Sequence, residues 1–300
     1  MKNTLKGSLA LIVSRASAGL NVNCSKYLLS SWFTPSGFVA LRLLFGTLFF
    51  WAVGIFDKPD LSSQRDRVKL FFLGAIAVFG YMMLYAVGIS YTTPVNFALI
   101  NALQPIWVFL FSVVCCNERV TSGKVVGILL GFSGVAATLF SESSSEYAVR
   151  PFAGNAMAFI SSLLYAFYLL SSSALLRRVS NIVMLKYTFL GALVSSIVAF
   201  LVSGATVPRI FSNYDPTAVL TFLFVLLFPT ALSYLLVPIG VKYLKTTLVA
   251  MYSYVTLFTA TLISVFTGQD RFDAALFFAL LLICVGIFLV GKSERREQML

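Results

Sequence analysis

The sequence predicts an all-α integral membrane protein, with ten transmembrane helices arranged as two inverted five-helix repeats. Three observations carry this expectation. The 300 residues are 59% hydrophobic and only 11% charged, with a mean hydropathy of +0.92, whereas a soluble domain is about 25% charged. The stretch Tyr91–Phe140 holds two apolar runs around a short polar break, Asn117-Glu118-Arg119, and each run is long enough for a bilayer, which takes about 20 residues. This hairpin recurs 152 positions later: Tyr91 falls on Tyr243, Ser112 on Ser264, Glu118-Arg119 on Asp270-Arg271 and Gly134 on Gly286.

Ten apolar segments follow in order, at roughly 7–30, 34–56, 68–90, 93–116, 123–141, 152–176, 182–203, 217–240, 246–267 and 273–291. The first starts behind a charged MKNTLKG and runs past any cleavage length, so it reads as a retained span and not as a signal peptide. Ser31-Trp32-Phe33 with Pro35 turns the chain into the second. The charged loop Asp57–Lys69 precedes the third, Tyr91-Thr92-Thr93-Pro94 the fourth and Asn117–Lys124 the fifth. The serine-rich Ser141–Ser145 reads as the linker between two halves, 1–145 and 146–300. The second half is broken at Arg177–Asn181, Gly204–Pro216, Lys242–Lys245 and Gly268–Asp273.

Lysine and arginine set the orientation. With the N-terminus in the cytoplasm, fifteen basic residues fall in inside segments, and only Arg150, Arg209 and Arg271 fall outside. Both termini are then cytoplasmic. Five spans per half is an odd number, so the halves are inverted relative to each other. Inverted repeats place a binding site near the midplane and move by rocking of one half against the other.

The composition also excludes function classes. The formal charge of +11 comes from residues scattered singly in short loops, with no continuous patch for nucleic acid. There is no histidine, hence no imidazole for proton transfer, metal ligation or a Ser/His dyad. The four cysteines, Cys24, Cys115, Cys116 and Cys284, all fall in apolar spans and form no disulfide or metal framework. All eleven acidic residues fall in loops or the tail, which argues against an intramembrane carboxylate pair or relay. The expectation is a protein without enzymatic activity or cofactor, whose partners are a small-molecule solute and the lipid bilayer.

Two segments carry a family resemblance. AGLNVNCSKYLLSSWFTPSGFVALRLLFG resembles the opening of the EamA family within the drug/metabolite transporter superfamily, with Lys26, Pro35 and Arg42 at its Lys, Pro and Arg positions. ALINALQPIWVFLFSVVCCNERVTSGKVVGILLGFSGV resembles its fourth and fifth helices, with Pro105, Glu118 and Gly134 in register. Ala18-Gly19 stands where the family commonly has Trp-Gly, and Leu257 stands at the repeat position of Pro105. The resemblance spans the chain and implies a ten-helix, five-plus-five inverted fold that often exports amino acids or other small metabolites.

Polar residues inside spans are the candidate site, because each is costly in a bilayer. Arg15, Lys26, Arg42 and Lys186 are the basic ones. Each reads either as a snorkelling or helix-end contact or as a group that recognises an anion; Lys26 and Arg42 are the candidates for the second role. Asn101 and Gln104 share a face of the fourth span, and their repeat partners Ser253 and Thr256 are smaller but polar. Pro105 kinks that span. Tyr81 with Tyr85, Tyr165 with Tyr168, and Tyr252 beside Ser253 predict an aromatic-walled cavity for a mixed polar and apolar solute. Gly127, Gly131 and Gly134 read as a helix-packing stripe away from it.

The sequence therefore points to a secondary transporter of small organic metabolites, an amino-acid or related exporter working by alternating access in a bacterial inner membrane. A carrier of organic phosphates or nucleotide-linked anions is the alternative, and a non-transporting scaffold or sensor a further one. No oligomeric state follows from these patterns.

Overall fold

The computed structural model describes residues 2–57, 60, 62–116, 120–141, 149–203, 210, 214–244 and 246–268, with 277–278, 281–282, 284–286, 288–289 and 292–293 in the tail. Among the described residues the chain is helical and contains no strand. Among the described residues seven helical runs are long and apolar enough to cross a bilayer: Pro35–Ile55, Gln64–Tyr91, Pro94–Cys115, Pro151–Leu175, Asn181–Val202, Pro216–Tyr243 and Leu248–Phe266. The first predicted span is helix α1 (Lys2–Ser31), whose Ser14, Arg15, Ser17, Asn21, Asn23 and Lys26 dilute its apolarity. The fifth is α7 (Ser122–Ser141), with a short apolar part, Ser122–Gly134. The tenth, 273–291, falls largely outside the described residues.

Helix starts follow from local chemistry. Helices α2 (Pro35–Ile55), α5 (Pro94–Asn101), α8 (Pro151–Leu175) and α10 (Pro216–Val225) each begin on proline. A first-turn N–H has no intrahelical partner, so its loss costs nothing there, and proline's φ already suits the helix. Thr34 and Thr93 cap α2 and α5, accepting from the N–H groups of Gly37 and Asn96. Asp215 caps α10 in the same way, and Ser180 caps α9 (Asn181–Val202).

Two runs contain π-helical segments. Helix α3 (Gln64–Leu73) passes through Gly74–Val78 into α4 (Phe79–Tyr91), and α10 passes through Leu226–Leu232 into α11 (Ser233–Tyr243). In the second, Pro229 cannot donate a backbone hydrogen bond, and the Thr230 hydroxyl donates to the Val225 carbonyl at 2.8 Å. In the first, glycine permits contact with α9. A Cβ at Gly74 collides with the Thr188 carbonyl oxygen, and one at Gly191 with that of Phe71.

The fourth span breaks at Ala102-Leu103, between α5 and α6 (Gln104–Cys116). Pro105 has no N–H for the Asn101 carbonyl, and the N–H groups of Leu103 and Ile106 take i−3 bonds to Ile100 and Leu103. The expected kink is present as a break. The ninth span also breaks, at Tyr252 between α12 (Thr246–Met251) and α13 (Ser253–Phe266), without a proline.

Helix α1 packs along α11 and α13, α8 along α4, α5 and α6, and α2 along α9. Side chains turned away from these contacts are apolar: Leu48, Phe56, Leu220 and Phe266 are 63–91% exposed. Apolar surface this extensive suits hydrocarbon and not water. Helix α1 shows the pattern inside out, with Leu5, Leu9 and Val13 exposed and Ser14, Arg15, Ser17, Asn21 and Asn23 buried. The glycine stripe of α7 meets the tail, where a Cβ at Gly286 collides with the Gly127 carbonyl, and small residues allow this approach of backbones.

Candidate functional site

The break in the fourth span, the break in the ninth and the π-segment of α10–α11 all face one cavity. Its volume is about 130 Å³, room for several waters at roughly 30 Å³ each in the liquid. Its floor is α1, which contributes Ser14, Arg15, Ala18, Asn21 and Val22. Arg42 reaches it from α2, Tyr81, Met82 and Tyr85 from α4, and Asn101 and Gln104 from the two sides of the first break. Ser161, Tyr165 and Tyr168 line it from α8, Pro229, Ser233, Tyr234, Val237 and Pro238 from the π-segment and α11, and Ser253 and Thr256 from α13.

Hydrogen bonds fix parts of this wall. The Asn21 amide donates to the Tyr85 hydroxyl at 2.9 Å, tying α4 to α1, and Ser25 on α1 donates to Asn21 Oδ1 at 3.3 Å. Ser14 and Ser233 exchange hydroxyl-to-carbonyl bonds at 3.3 and 3.2 Å, and the Thr256 hydroxyl donates to the Arg15 carbonyl at 3.1 Å. Ser161 donates to the Tyr81 carbonyl at 2.9 Å. Tyr81 meets Tyr165 edge to face at 5.1 Å between centroids, and Tyr168 stands 6.0 Å from Tyr165. The Asn101 amide turns back onto the Phe97 carbonyl at 3.2 Å.

The cations divide by their contacts. Arg42 is buried; its Nε donates to the Thr230 hydroxyl at 3.1 Å, and its guanidinium lies 5.3 Å from the Phe38 ring centroid. Arg15 is 6% exposed and lies 5.3 Å from the Tyr165 centroid, while its Nε and Nη2 are buried with no hydrogen-bond partner in the chain. Tyr81 OH, Gln104 Oε1 and Ser253 Oγ are likewise buried and unpartnered. Buried polar groups are normally satisfied, and four residues with such unpartnered atoms, Arg15, Tyr81, Gln104 and Ser253, line this cavity. No aspartate or glutamate is among the described lining residues.

Nine of the eleven sequence candidates therefore share the cavity: Arg42, Tyr81, Tyr85, Asn101, Gln104, Tyr165, Tyr168, Ser253 and Thr256. Lys26 does not. Its Nζ donates to the carbonyls of Thr92 at 2.8 Å and Ser90 at 3.3 Å, at the end of α4, where carbonyls lack intrahelical donors. Tyr252 does not either; at the α12–α13 break it packs against the cluster of Leu11, Val108 and Val249. Arg15 and Tyr234 are two of the cavity residues that were not among the candidates. Arg15 is one turn from Ala18 and two from Asn21, so α1's polar periodicity marked it as interior and not snorkelling. Ser233-Tyr234 lie 152 positions after Tyr81-Met82.

Comparison with known proteins bears on what the cavity belongs to. The model of the EamA-like transporter family matches residues 5–140 and again 152–292. The "uncharacterized transporter YyaM" of Bacillus subtilis (strain 168) is 25% identical over 288 residues, 93% of either chain. A WAT1-related protein of Arabidopsis thaliana is 30% identical over 139 residues, 43% of this chain and 39% of its own. A solved crystal structure with 21% sequence identity superposes over 98% of both chains with a TM-score of 0.72, and so shares the fold. Two matches of one transporter model, together covering nearly the whole chain, make this an integral, multi-pass membrane protein of the EamA-like transporter family, a transporter and not an enzyme.

Proposed function

We propose that the protein is a secondary transporter that moves a small organic metabolite, an amino acid or a related solute, by alternating access around this cavity, in the direction of export. Its two halves, 1–145 and 146–300, are five-helix units of inverted topology in a bacterial inner membrane, with ten spans and both termini cytoplasmic. The observation that carries the reading is the cavity itself: it takes walls from both halves, mixes tyrosine rings with hydroxyls and amides, and holds unpartnered buried polar atoms. Such a site fits a solute with a polar end and an apolar body. The packing supports two equivalent halves, since α1 lies against α11 and α13 as α8 lies against α4 and α6. Fifteen basic residues against three support the orientation.

The second reading, an organic phosphate or nucleotide-linked anion as solute, is favoured by Arg15 and Arg42 on a lining with no acidic side chain among the described residues. Uptake of labelled amino acids, organic acids and organic phosphates into proteoliposomes tests both. Saturable flux above that of protein-free vesicles is expected for one chemical class. Flux equal to that of empty vesicles across the whole panel refutes the transport reading.

A further inference from the structure

We infer that Arg15 is the anchor for an oxyanion: the solute carries a carboxylate or a phosphate that the Nε–Nη2 edge of this guanidinium holds. The inference rests on the transport reading and adds the charge of the solute to it. Nε and Nη2 form the side-on edge of the guanidinium, whose two parallel N–H groups match two oxygens of one anionic group. These are the two Arg15 atoms that are buried without a partner, while the face of the group is held over the Tyr165 ring at 5.3 Å. The guanidinium thus rests near the ring with this edge unused.

Among the described residues this edge has no acceptor. Arg15 stands in the middle of α1, where backbone carbonyls are committed to the helix. Ten of the eleven acidic residues fall outside the predicted spans, and the eleventh, Asp273, is the first residue of the tenth. A charged group buried without a counter-charge is costly, and an anion that enters the cavity removes that cost. Arg42 has already given its own Nε to Thr230, so it adds positive potential without presenting the same free edge. The hydroxyls of Tyr81 and Ser253, also unpartnered, supply further donors for the anion's remaining lone pairs.

Thermal unfolding of the purified full-length protein in detergent tests this, with sodium acetate, sodium methyl phosphate, acetamide and sodium chloride compared at matched ionic strength. A ligand that binds only the folded protein raises Tm. Acetate or methyl phosphate raises it and acetamide and chloride do not; the stronger of the two identifies the oxyanion. Arg15→Gln weakens that binding by roughly tenfold to hundredfold, and Arg15→Lys, which keeps the charge without the fork, loses most of it. No shift with either oxyanion, an equal shift with acetamide, or native-like affinity in Arg15→Gln overturns the inference. If Arg15→Gln does not fold, Arg15→Lys and the acetate-against-acetamide comparison on the native protein decide. Oxyanion binding without vesicle flux overturns transport and leaves the anchor standing; saturable flux of neutral solutes by a protein that binds no oxyanion does the reverse.

Discussion

Replacing Lys26 by methionine separates a cation that serves the fold from one that serves the solute. The ammonium donates to two carbonyls at the end of α4, at 2.8 Å to Thr92 and 3.3 Å to Ser90. Methionine keeps an unbranched apolar stem of similar length, so packing along α1 changes little. A hydrogen bond to a charged group contributes roughly 1.5–3 kcal/mol when well formed. The longer contact is weaker than that, and Lys26 is half-buried, so water replaces part of the loss. The net destabilisation is about 1–3 kcal/mol, or roughly 2–12 °C in Tm at about 2–4 °C per kcal/mol for a chain above 150 residues. Unfolding in detergent measures the stability, and acetate against acetamide measures the selectivity. The expected result is a less stable protein with its oxyanion selectivity intact. Unchanged stability with lost selectivity would refute the assignment and return Lys26 to the solute site.

Three further outcomes follow from the geometry. Gln104→Leu and Asn101→Leu lower flux in proteoliposomes more than they lower the yield of folded protein, because both side chains line the cavity; normal flux in both makes that face packing alone. Gly191→Ala places a Cβ on the Phe71 carbonyl and costs about 1–3 kcal/mol or more by overpacking, read as lower Tm or loss of monodisperse protein, while native stability shows that α9 shifts freely. Cysteines at Ser63 and Ser144, the latter outside the described residues, label from opposite faces of the membrane under the proposed topology; labelling from one face removes both the topology and the inverted repeat.

Much of the fold is legible in the sequence because hydrophobicity and punctuation agree. The proposed second span, 34–56, is α2 from Pro35 to Ile55, and proline with a preceding threonine fixed its start. Pro105 announced the break in the fourth span. The π-segments were not legible: a one-residue widening of the turn leaves no mark on an apolar run, and Gly74 and Pro229 read equally well as packing and kink residues. Spacing grouped Tyr81 with Tyr85, Tyr165 with Tyr168 and Asn101 with Gln104, which line one cavity, because three- and four-residue intervals fix a shared side of a helix. Spacing does not fix which neighbour that side meets. Tyr252 failed for this reason, since the break before Ser253 turns the chain between the two residues.

Lys26 lies outside the cavity lining for a different reason, which the contrast with Arg15 shows. Both stand on α1, eleven residues apart, which is about three turns and about 16 Å, on nearly the same side of the helix. Lys26 lies near the end of α1, level with the end of α4, where last-turn carbonyls have no helical donor and accept from an ammonium. The fold itself satisfies the charge there. Arg15 lies mid-helix, where carbonyls are committed to i→i+4 bonds, and its cavity neighbours are tyrosines, serines and a glutamine with no carboxylate among the described lining residues. Availability of backbone acceptors changes with depth, and sequence alone shows a basic residue at both places. The lysine donates to the end of α4, and the Nε–Nη2 edge of the arginine has no partner among the described residues.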